Sequence, residues 1–322
     1  MISEQPGLPT PDPEELAWSA GFFDGEGSTF ARRAKRRPGY AQLNLNIPQS
    51  GRNGVPAVLR RFQLAMLGMG HISGPSRIGL YMLRYHARAE ANHVLFLLWP
   101  YLGEVKRAQA AEAIKTVDLQ YESGTYVRRK ARRTPPRSLW PTVDATDAPH
   151  LELAWAAGFL DAEGCFGLAR THARKGGSDW YRIRASASQH GEVATPAAVL
   201  LRLHRALGGL GRIECHGEVD DFKWVVEGPD NVARVLELVR PWLGEDKRAD
   251  AEHALEAFHA QTRIKGGGTH CRRGHLYDRV DVRNGRTRRW CNACARLIQR
   301  RGRARRGIRP RQFRNVARRY TE

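Results

Sequence analysis

The chain has 322 residues, 41% of them hydrophobic, and carries a formal net charge of +20 at pH 7. This length and apolar content can bury one large core or two of ordinary size, which argues against a disordered chain. The excess of 53 lysine and arginine residues over 33 acidic residues indicates a polyanionic partner, and nucleic acid is the first candidate.

The positive charge is concentrated at the C-terminal end. From position 263 onward there are 20 basic and 3 acidic residues, so this part carries +17 of the +20. A nearly neutral body with a basic appendage is typical of nucleic-acid binding. No apolar stretch reaches the roughly 18 residues of a spanning helix, and the N-terminal MISEQPGLPTPDPEE lacks the pattern of a signal peptide. We therefore expect no membrane partner and a cytoplasmic protein, nucleoid-associated if it is bacterial or phage-encoded.

An internal duplication organises the chain. The segment LAWSAGFFDGEG at 16–27 recurs as LAWAAGFLDAEG at 153–164, and PYLGEVKRA at 100–108 recurs as PWLGEDKRA at 241–249. Two matched segments in the same order predict two repeats of one fold. The predicted parts, in chain order, are an N-terminal extension over 1–13, a first repeat over 14–121, a linker over 122–149 and a second repeat over 150–262.

The hydrophobic pattern within each repeat predicts alternating helices and strands. Residues 14 to about 24 predict a helix that ends at a glycine-rich turn, with Ala17, Ala20 and Gly21 on one stripe. Residues 40–47 and 180–187 alternate polar and apolar side chains, as half-buried strands do. The remaining predicted elements are helices over 55–67 and 194–207, short strand pairs near 70–86 and 210–227, and helices near 88–98, 104–119, 230–239 and 245–260.

A glutamate follows the predicted helix at 14–24 and its equivalent in the second repeat, which are called the motif helices below. Small residues let helices pack closely, so contact between the motif helices would place Glu26 and Glu163 side by side, just past the helix ends. Paired carboxylates of this kind can hold divalent cations for phosphodiester hydrolysis. We expect Asp24 and Asp161 to cap or brace the turns instead.

Residues 19–27 and 156–164 resemble the motif that names the LAGLIDADG homing endonucleases, and the resemblance covers about residues 14–262. It implies an α+β fold of two pseudo-symmetric αββαββα repeats, packed through the motif helices, with saddle-shaped antiparallel sheets over double-stranded DNA. It also implies a monomeric, site-specific endonuclease in which Glu26 and Glu163 are catalytic and hold Mg²⁺. The glutamines and lysines of the family's active sites, which position water and screen the phosphate, correspond to Gln49, Gln189, Lys106 and Lys247.

Polar side chains share one face of each alternating strand and are candidates for DNA contacts. Asparagine and glutamine suit adenine, and arginine suits guanine. A solvated sheet face is the alternative for each residue taken singly. The candidates are Arg32, Arg36, Tyr40, Gln42, Asn44, Asn46, Thr171, Trp180, Arg182, Arg184, Ser186, His216 and Lys223.

A compact set of metal-ligand residues lies near the C-terminus. Cys271-x₃-His275 and Cys291-x₂-Cys294 supply three thiolates and one imidazole, which suit structural Zn²⁺, and Asn284-Gly285 predicts a hairpin between them. The pattern is similar to the small zinc modules of phage and mobile-element endonucleases. It predicts a zinc-binding module over 263–300 and an arginine-rich tail over 301–322 for phosphate contacts. The other cysteines stand alone, so no disulfide framework is expected.

A non-catalytic nucleic-acid binder on the same fold is the alternative function. It would be an intron RNA maturase or a DNA-binding regulator, and its own intron RNA would then be a second candidate partner. The paired glutamates, glutamines and lysines favour the endonuclease, because a protein that only binds has no need of them.

Overall fold

The chain divides into two compact units, Met1–Leu255 and Glu256–Glu322. The computed structural model describes residues 11–33, 40–51, 53–122, 148–171, 180–191, 195–216, 220–264, 271, 273, 275, 277–283 and 286–305. Most of the predicted N-terminal extension, linker and arginine-rich tail therefore lies outside the described residues, as do Arg36 and the Asn284-Gly285 turn.

Each repeat contains four helices and four strands in the same order. In the first repeat these are α1 (Pro13–Glu26), β1 (Ser28–Arg33), β2 (Ala41–Ser50), α2 (Ala57–Ala65), β3 (His71–Ser73), β4 (Leu80–Tyr85), α3 (Arg88–Leu98) and α4 (Glu104–Glu122). In the second repeat these are α5 (Pro149–Glu163), β5 (Gly164–Thr171), β6 (Trp180–His190), α6 (Ala198–Ala206), β7 (Arg212–His216), β8 (Asp221–Glu227), α7 (Pro229–Val239) and α8 (Glu245–Ile264). The duplication predicted from the two pairs of segments is confirmed.

The eight strands form two equivalent antiparallel sheets. Their strand orders are β1-β2-β4-β3 and β5-β6-β8-β7. The alternation predicted for β2 is explained by its buried face, where Leu43, Leu45 and Ile47 are at most 1% exposed. Hydrophobic side chains on that face pack against α3 and α4, which leaves the opposite face of the sheet for polar residues.

The motif helices α1 and α5 pack directly against each other. The first starts with Asp12, which accepts a hydrogen bond from the Glu14 amide, and with a proline in its first turn. All nine residues from 16 to 24 are buried, so this stretch of the helix has no solvent face. A Cβ atom on Gly21 would lie 1.9 Å from the Trp155 carbonyl oxygen, and one on Gly158 would lie 1.9 Å from that of Trp18. The absence of side chains at both glycines permits this close backbone approach.

Both motif helices are longer than predicted. The first continues through Gly25 and ends at Glu26, so the glutamate is its last residue rather than the residue after it. A Cβ on Gly25 would lie 2.5 Å from the Ala162 Cβ. This glycine therefore serves helix packing, and the prediction that it belongs to a turn was wrong.

The second unit contains a small hairpin and a helix. Strands β9 (Arg279–Arg283) and β10 (Arg286–Trp290) pair antiparallel, as the sequence predicted, and α9 (Asn292–Arg305) follows. Among all the helices that the structure describes, none combines the length and apolar character needed to cross a membrane.

Candidate active site and nucleic-acid interface

The ends of the motif helices bring the two predicted acids together. A Cβ built on Gly25 would lie 3.0 Å from the Glu163 Cγ, which puts the second acid against the last turn of α1. Burial and, after it, repulsion from Glu163 raise the pKa of Glu26 to about 7. Burial also raises the pKa of Glu163. Both half-buried carboxylates lie at the C-terminal ends of helices, where the helix dipole is negative. Such a site favours the binding of a cation.

The predicted glutamines and lysines surround these acids. Gln49 Nε2 lies 3.5 Å from Glu26 Oε1, and Gln189 Nε2 donates to Glu163 Oε1 at 2.9 Å. Lys106 Nζ donates to the Gly27 carbonyl at 2.5 Å, and Lys247 makes the same bond to Gly164. Burial lowers the pKa of Lys106. The structure thus brings all six predicted catalytic residues to one region.

The two motif aspartates have a role that the sequence did not predict in detail. Asp24 accepts hydrogen bonds from the Gly103 amide, at 3.1 and 2.8 Å, and from Trp155 Nε1 at 2.8 Å. Asp161 has the equivalent bonds from Gly244 and Trp18. Each aspartate therefore braces the start of a distant helix rather than the turn after its own. Burial, as the largest cause, raises the pKa of each carboxyl to about 6.

Two arginines at the repeat interface were missed from the sequence. Arg61 pairs with Glu15 at 2.7 Å, stacks 3.9 Å over the Trp18 ring and donates to the Trp242 carbonyl of the second repeat at 2.5 Å. Arg202 makes the equivalent contacts with Glu152, Trp155 and the Tyr101 carbonyl. The two arginines occupy equivalent positions in α2 and α6, and this repetition could have identified them from the sequence.

Two cavities are each lined by residues of both repeats. The larger, of about 1410 Å³, is lined by Lys106 of the first repeat and Gln189 of the second. The smaller, of about 320 Å³, is lined by Gln49 of the first repeat and Lys247 of the second. In each cavity a predicted catalytic lysine of one repeat and a predicted catalytic glutamine of the other therefore line the same space.

The strand register gives each sheet a polar face, defined here by the residues that alternate with the buried ones. Direct partners in an antiparallel pair share a face, and Arg32 pairs with Gln42 while Asn46 pairs with Arg84. In the second sheet Arg184 pairs with Glu227, and Lys223 pairs with Ser188. The backbone pairs Thr171 with Trp180 and His216 with Asp221. Tyr40, just before β2, is half-buried.

Among the predicted DNA-contact residues whose burial the structure describes, two are buried. Asn44 and Ser186 are each 2% exposed. The Asn44 side chain is 2.8 Å from His86 Nδ1 and donates to the Gln42 carbonyl, while Gln42 Nε2 donates to the His86 carbonyl. A base contact through Asn44 would require its bond with His86 to break.

The polar face of the second sheet also carries charged residues that the sequence analysis missed. Glu227 Oε1 is 3.5 Å from Arg182 and its Oε2 is 3.3 Å from Arg212, which also pairs with Glu214. On the polar face of the first sheet, β4 carries Arg84, which pairs with Asn46 and donates to Ser73 at 3.1 Å. Extending the alternation into the third and fourth strands of each repeat would have found these residues.

The four predicted zinc ligands converge in the second unit. Their ligand atoms all lie within 4.8 Å of one another. Cys271 Sγ is 3.6 Å from Cys294 Sγ and 3.4 Å from His275 Nδ1, and Cys294 Sγ is 3.5 Å from the same nitrogen. Ligand bonds of about 2.0–2.3 Å in a tetrahedron give edges of about 3.5–3.8 Å. The separations among Cys271, His275 and Cys294 therefore fit one tetrahedral ion such as zinc, and Cys291 lies within 4.8 Å of all three.

The observed architecture is a two-repeat α+β fold with a pair of acids where its central helices end. No protein-family model matches the chain, and no curated protein sequence matches it. Solved structures do match it. The LAGLIDADG meganuclease I-AabMI, bound to uncleaved DNA, is 18% identical over 82% of this chain and 95% of its own, with a TM-score of 0.59.

Other solved structures give the same result. The LAGLIDADG homing endonuclease I-LtrWI, bound to target DNA, is 12% identical over 79% of this chain and 93% of its own, with a TM-score of 0.60. I-SmaMI, bound to uncleaved DNA in the presence of calcium ions, is 13% identical over 80% and 94%, with a TM-score of 0.51. The chain therefore has the two-repeat fold of the LAGLIDADG homing endonucleases.

Proposed function

We propose that the chain is a site-specific double-strand DNA endonuclease that hydrolyses phosphodiester bonds. The observation that carries this proposal is the convergence of Glu26 and Glu163 at the adjoining helix ends, each with a glutamine and a lysine of its own repeat. A protein that only bound nucleic acid would gain nothing from grouping these residues at the helix ends. The solved structures of the same fold, crystallised with DNA, add support.

The two glutamates are proposed to hold Mg²⁺. Carboxylate oxygens are the ligands that this hard cation prefers, and the raised pKa of Glu26 means that a second negative charge is costly there without a cation. When bound, the metal would activate water and stabilise the leaving oxygen. A solved structure of the same fold, I-SmaMI with uncleaved DNA, was obtained in the presence of calcium ions, which supports the use of a divalent ion.

The other catalytic groups are proposed to act on water and phosphate. The Gln49 and Gln189 amides each orient one carboxylate and keep a second N–H for a water molecule. The Lys106 and Lys247 ammonium groups each use one N–H on a backbone carbonyl and have two more for phosphate oxygens. With one set per repeat, we infer one cut in each DNA strand.

The polar faces of the two sheets are proposed to contact DNA. The first presents the amides of Gln42 and Asn46 beside Arg32 and Arg84. The second presents Arg182, Arg184 and Arg212 around Glu227. Because amides suit adenine and arginines suit guanine, the two half-sites should differ in sequence. Both halves lie in one chain, so we propose that a monomer is sufficient.

The second unit is proposed to bind Zn²⁺ through Cys271, His275, Cys291 and Cys294. Its ion would fold the hairpin and α9 into one module, whose arginines add phosphate contacts without sequence preference. Such an enzyme would act on DNA in the cytoplasm or nucleoid and would serve intron homing.

Strand-resolved cleavage tests the proposal. Supply the purified chain with a library of duplexes labelled on both strands, with Mg²⁺, and compare wild type, Glu26→Gln and Glu163→Gln. Each variant should lose cutting of one or both strands while its specific binding stays nearly intact. The control is Glu237→Gln, an acid whose side chain is 69% exposed on a surface helix.

Two outcomes would contradict the assignment. If both single variants cut both strands at the wild-type rate, the glutamates are not catalytic. If the wild type selects one sequence yet never cuts it, the alternative of a non-catalytic DNA or intron RNA binder is favoured.

A further inference from the structure

We propose that Trp18 and Trp155 are positioning residues that act across the repeat interface, each setting the catalytic lysine of the opposite repeat. This inference rests on the proposed function, because the lysines matter only if the chain cuts DNA. The hydrogen bonds from which it is argued do not depend on that function.

The first link joins a tryptophan to an aspartate of the other repeat. Trp155 Nε1 donates to Asp24 Oδ2 at 2.8 Å, and both groups are buried. The reciprocal bond, from Trp18 Nε1 to Asp161 Oδ2, is also 2.8 Å long. Each ring stacks on a phenylalanine one helical turn ahead, with ring centroids 5.3 and 5.5 Å apart, so the N–H direction is fixed.

The second link joins the aspartate to the helix that carries the lysine. Both oxygens of Asp24 accept from the amide of Gly103, the residue before α4. A carboxylate at a helix N-terminus is stabilised by the unpaired amides and the helix dipole. Lys106 is the third residue of α4, so the position of its backbone depends on this contact.

The third link brings the lysine to the acids. Lys106 Nζ donates to the carbonyl of Gly27, the residue directly after Glu26. A path of three contacts therefore runs from the second repeat's Trp155 to the first repeat's Lys106. The mirror path runs from Trp18 through Asp161 and Gly244 to Lys247.

The tryptophan N–H matters because the buried carboxylate has few other partners. Asp24 is 5% exposed, and within the part of the chain that the structure describes the one charged group paired with it is Arg202, at 3.8 Å. Without the N–H, Oδ2 loses a donor that holds it toward α4, and the first turn of that helix is free to shift. A hydrogen bond to a charged group is a strong one, so the loss should be measurable.

Strand-resolved cleavage by Trp155→Phe and Trp18→Phe tests the proposal. Each variant keeps an aromatic ring for the stack and removes the indole N–H together with its five-membered ring, a loss of volume that the control below shares. We expect about a tenfold lower cleavage rate on one strand with unchanged DNA affinity, and the two variants should slow opposite strands. Trp224→Phe is the matched control, because its buried indole donates to the Leu210 carbonyl at 3.0 Å and should leave both rates unchanged.

A double-mutant cycle identifies the path. The effect of Trp155→Phe should vanish in a Lys106→Ala background and persist in a Lys247→Ala background. If Trp155→Phe instead loosened the whole interface, it would slow cleavage by the same factor in both backgrounds. If Trp155→Phe fails to fold, Asp24→Asn is the second variant and should slow the same strand. Equal slowing of both strands, or additivity in both backgrounds, overturns the proposal.

Amide hydrogen exchange separates this proposal from the proposed function. In Trp155→Phe the Gly103 amide should exchange faster than in wild type while the Gly244 amide is unchanged, and Trp18→Phe should show the reverse. If no duplex is cut by wild type, the endonuclease assignment fails, yet this exchange pattern still supports the cross-repeat brace. Unchanged exchange at Gly103 in Trp155→Phe overturns the brace.

Discussion

Gly158→Ala should destabilise the first unit, because the new methyl group would meet backbone rather than a movable side chain. Its Cβ would lie 1.9 Å from the Trp18 carbonyl oxygen and 2.9 Å from the Phe22 nitrogen. Real Cβ atoms essentially never lie within 3.0 Å of a non-bonded heavy atom. The motif helices must therefore separate locally by about 1 Å to relieve the 1.9 Å contact. That gap forfeits roughly a quarter or more of the dispersion energy at each contact it opens.

The size of the effect follows from two opposing contributions. Overpacking against rigid atoms costs about 3 kcal/mol, and alanine regains about 1 kcal/mol of helix propensity over glycine. The net loss of about 2 kcal/mol corresponds to a Tm lower by about 4–8 °C for a unit of this size.

Thermal unfolding followed by tryptophan fluorescence measures the shift, since Trp18 and Trp155 both lie at the interface. Gly167→Ala is the matched control, because a Cβ there meets no atom within 4 Å. A Gly158→Ala protein that melts at or above the wild-type temperature would refute the close-approach argument.

Three further predictions concern charge, metal and specificity. Glu26→Gln should raise the Tm more at pH 8 than at pH 4.5 without divalent ions. The reason is that the pKa of Glu26 is about 7 in the folded chain against 4.5 as its ordinary value. The folded state then binds more protons between those values, so stability falls as pH rises through that window; equal shifts at both pH values would contradict this. Replacing Cys291 and Cys294 together by serine should remove one zinc in metal analysis, with Cys215→Ser as control; a zinc-free wild type would count against the module. Arg212→Ala should relax preference at one base pair by about 1–3 kcal/mol in a substitution library, whereas Arg234→Ala on α7 should not, and a uniform loss at all positions would exclude base reading.

Local and repeated patterns made most of the fold predictable. Periodicity predicted the strands around 40–47 and 180–187, and repetition fixed their equivalence, so both sheets appeared where expected. The error at Gly25 has a physical cause. Glycine ends helices when it adopts left-handed angles, but here it allows contact with Ala162 of the other repeat, and no local pattern distinguishes these two uses.

The candidate site was predictable only in part. Its glutamates, glutamines and lysines recur at matching places in the duplicated sequence, and repetition selects them from ordinary surface residues. The contacts that organise them do not recur locally. Trp18 and Asp161 are 143 positions apart, and Arg61 meets a carbonyl 181 positions away. Such pairs depend on how two complete repeats dock, which the periodicity of one helix does not encode.

Burial on the polar faces was the least predictable feature. Asn44 alternates correctly with Leu43 and Leu45, so its face was assigned correctly. Its burial comes from His86, which lies 42 positions along the chain and bonds to its side chain. Alternation indicates which way a side chain points, whereas its exposure depends on the neighbouring strand.

The reciprocal contacts between the repeats make the interface self-complementary. Trp18 donates to Asp161 as Trp155 donates to Asp24, and Gly21 lies under Trp155 as Gly158 lies under Trp18. For these contacts each repeat thus carries both partners, as the single subunit of a symmetric twofold dimer must. In such a dimer both subunits have the same sequence, so any substitution changes both halves at once. When the two halves are joined in one chain, each can change separately. The two sheets of this chain have therefore been able to acquire different polar faces.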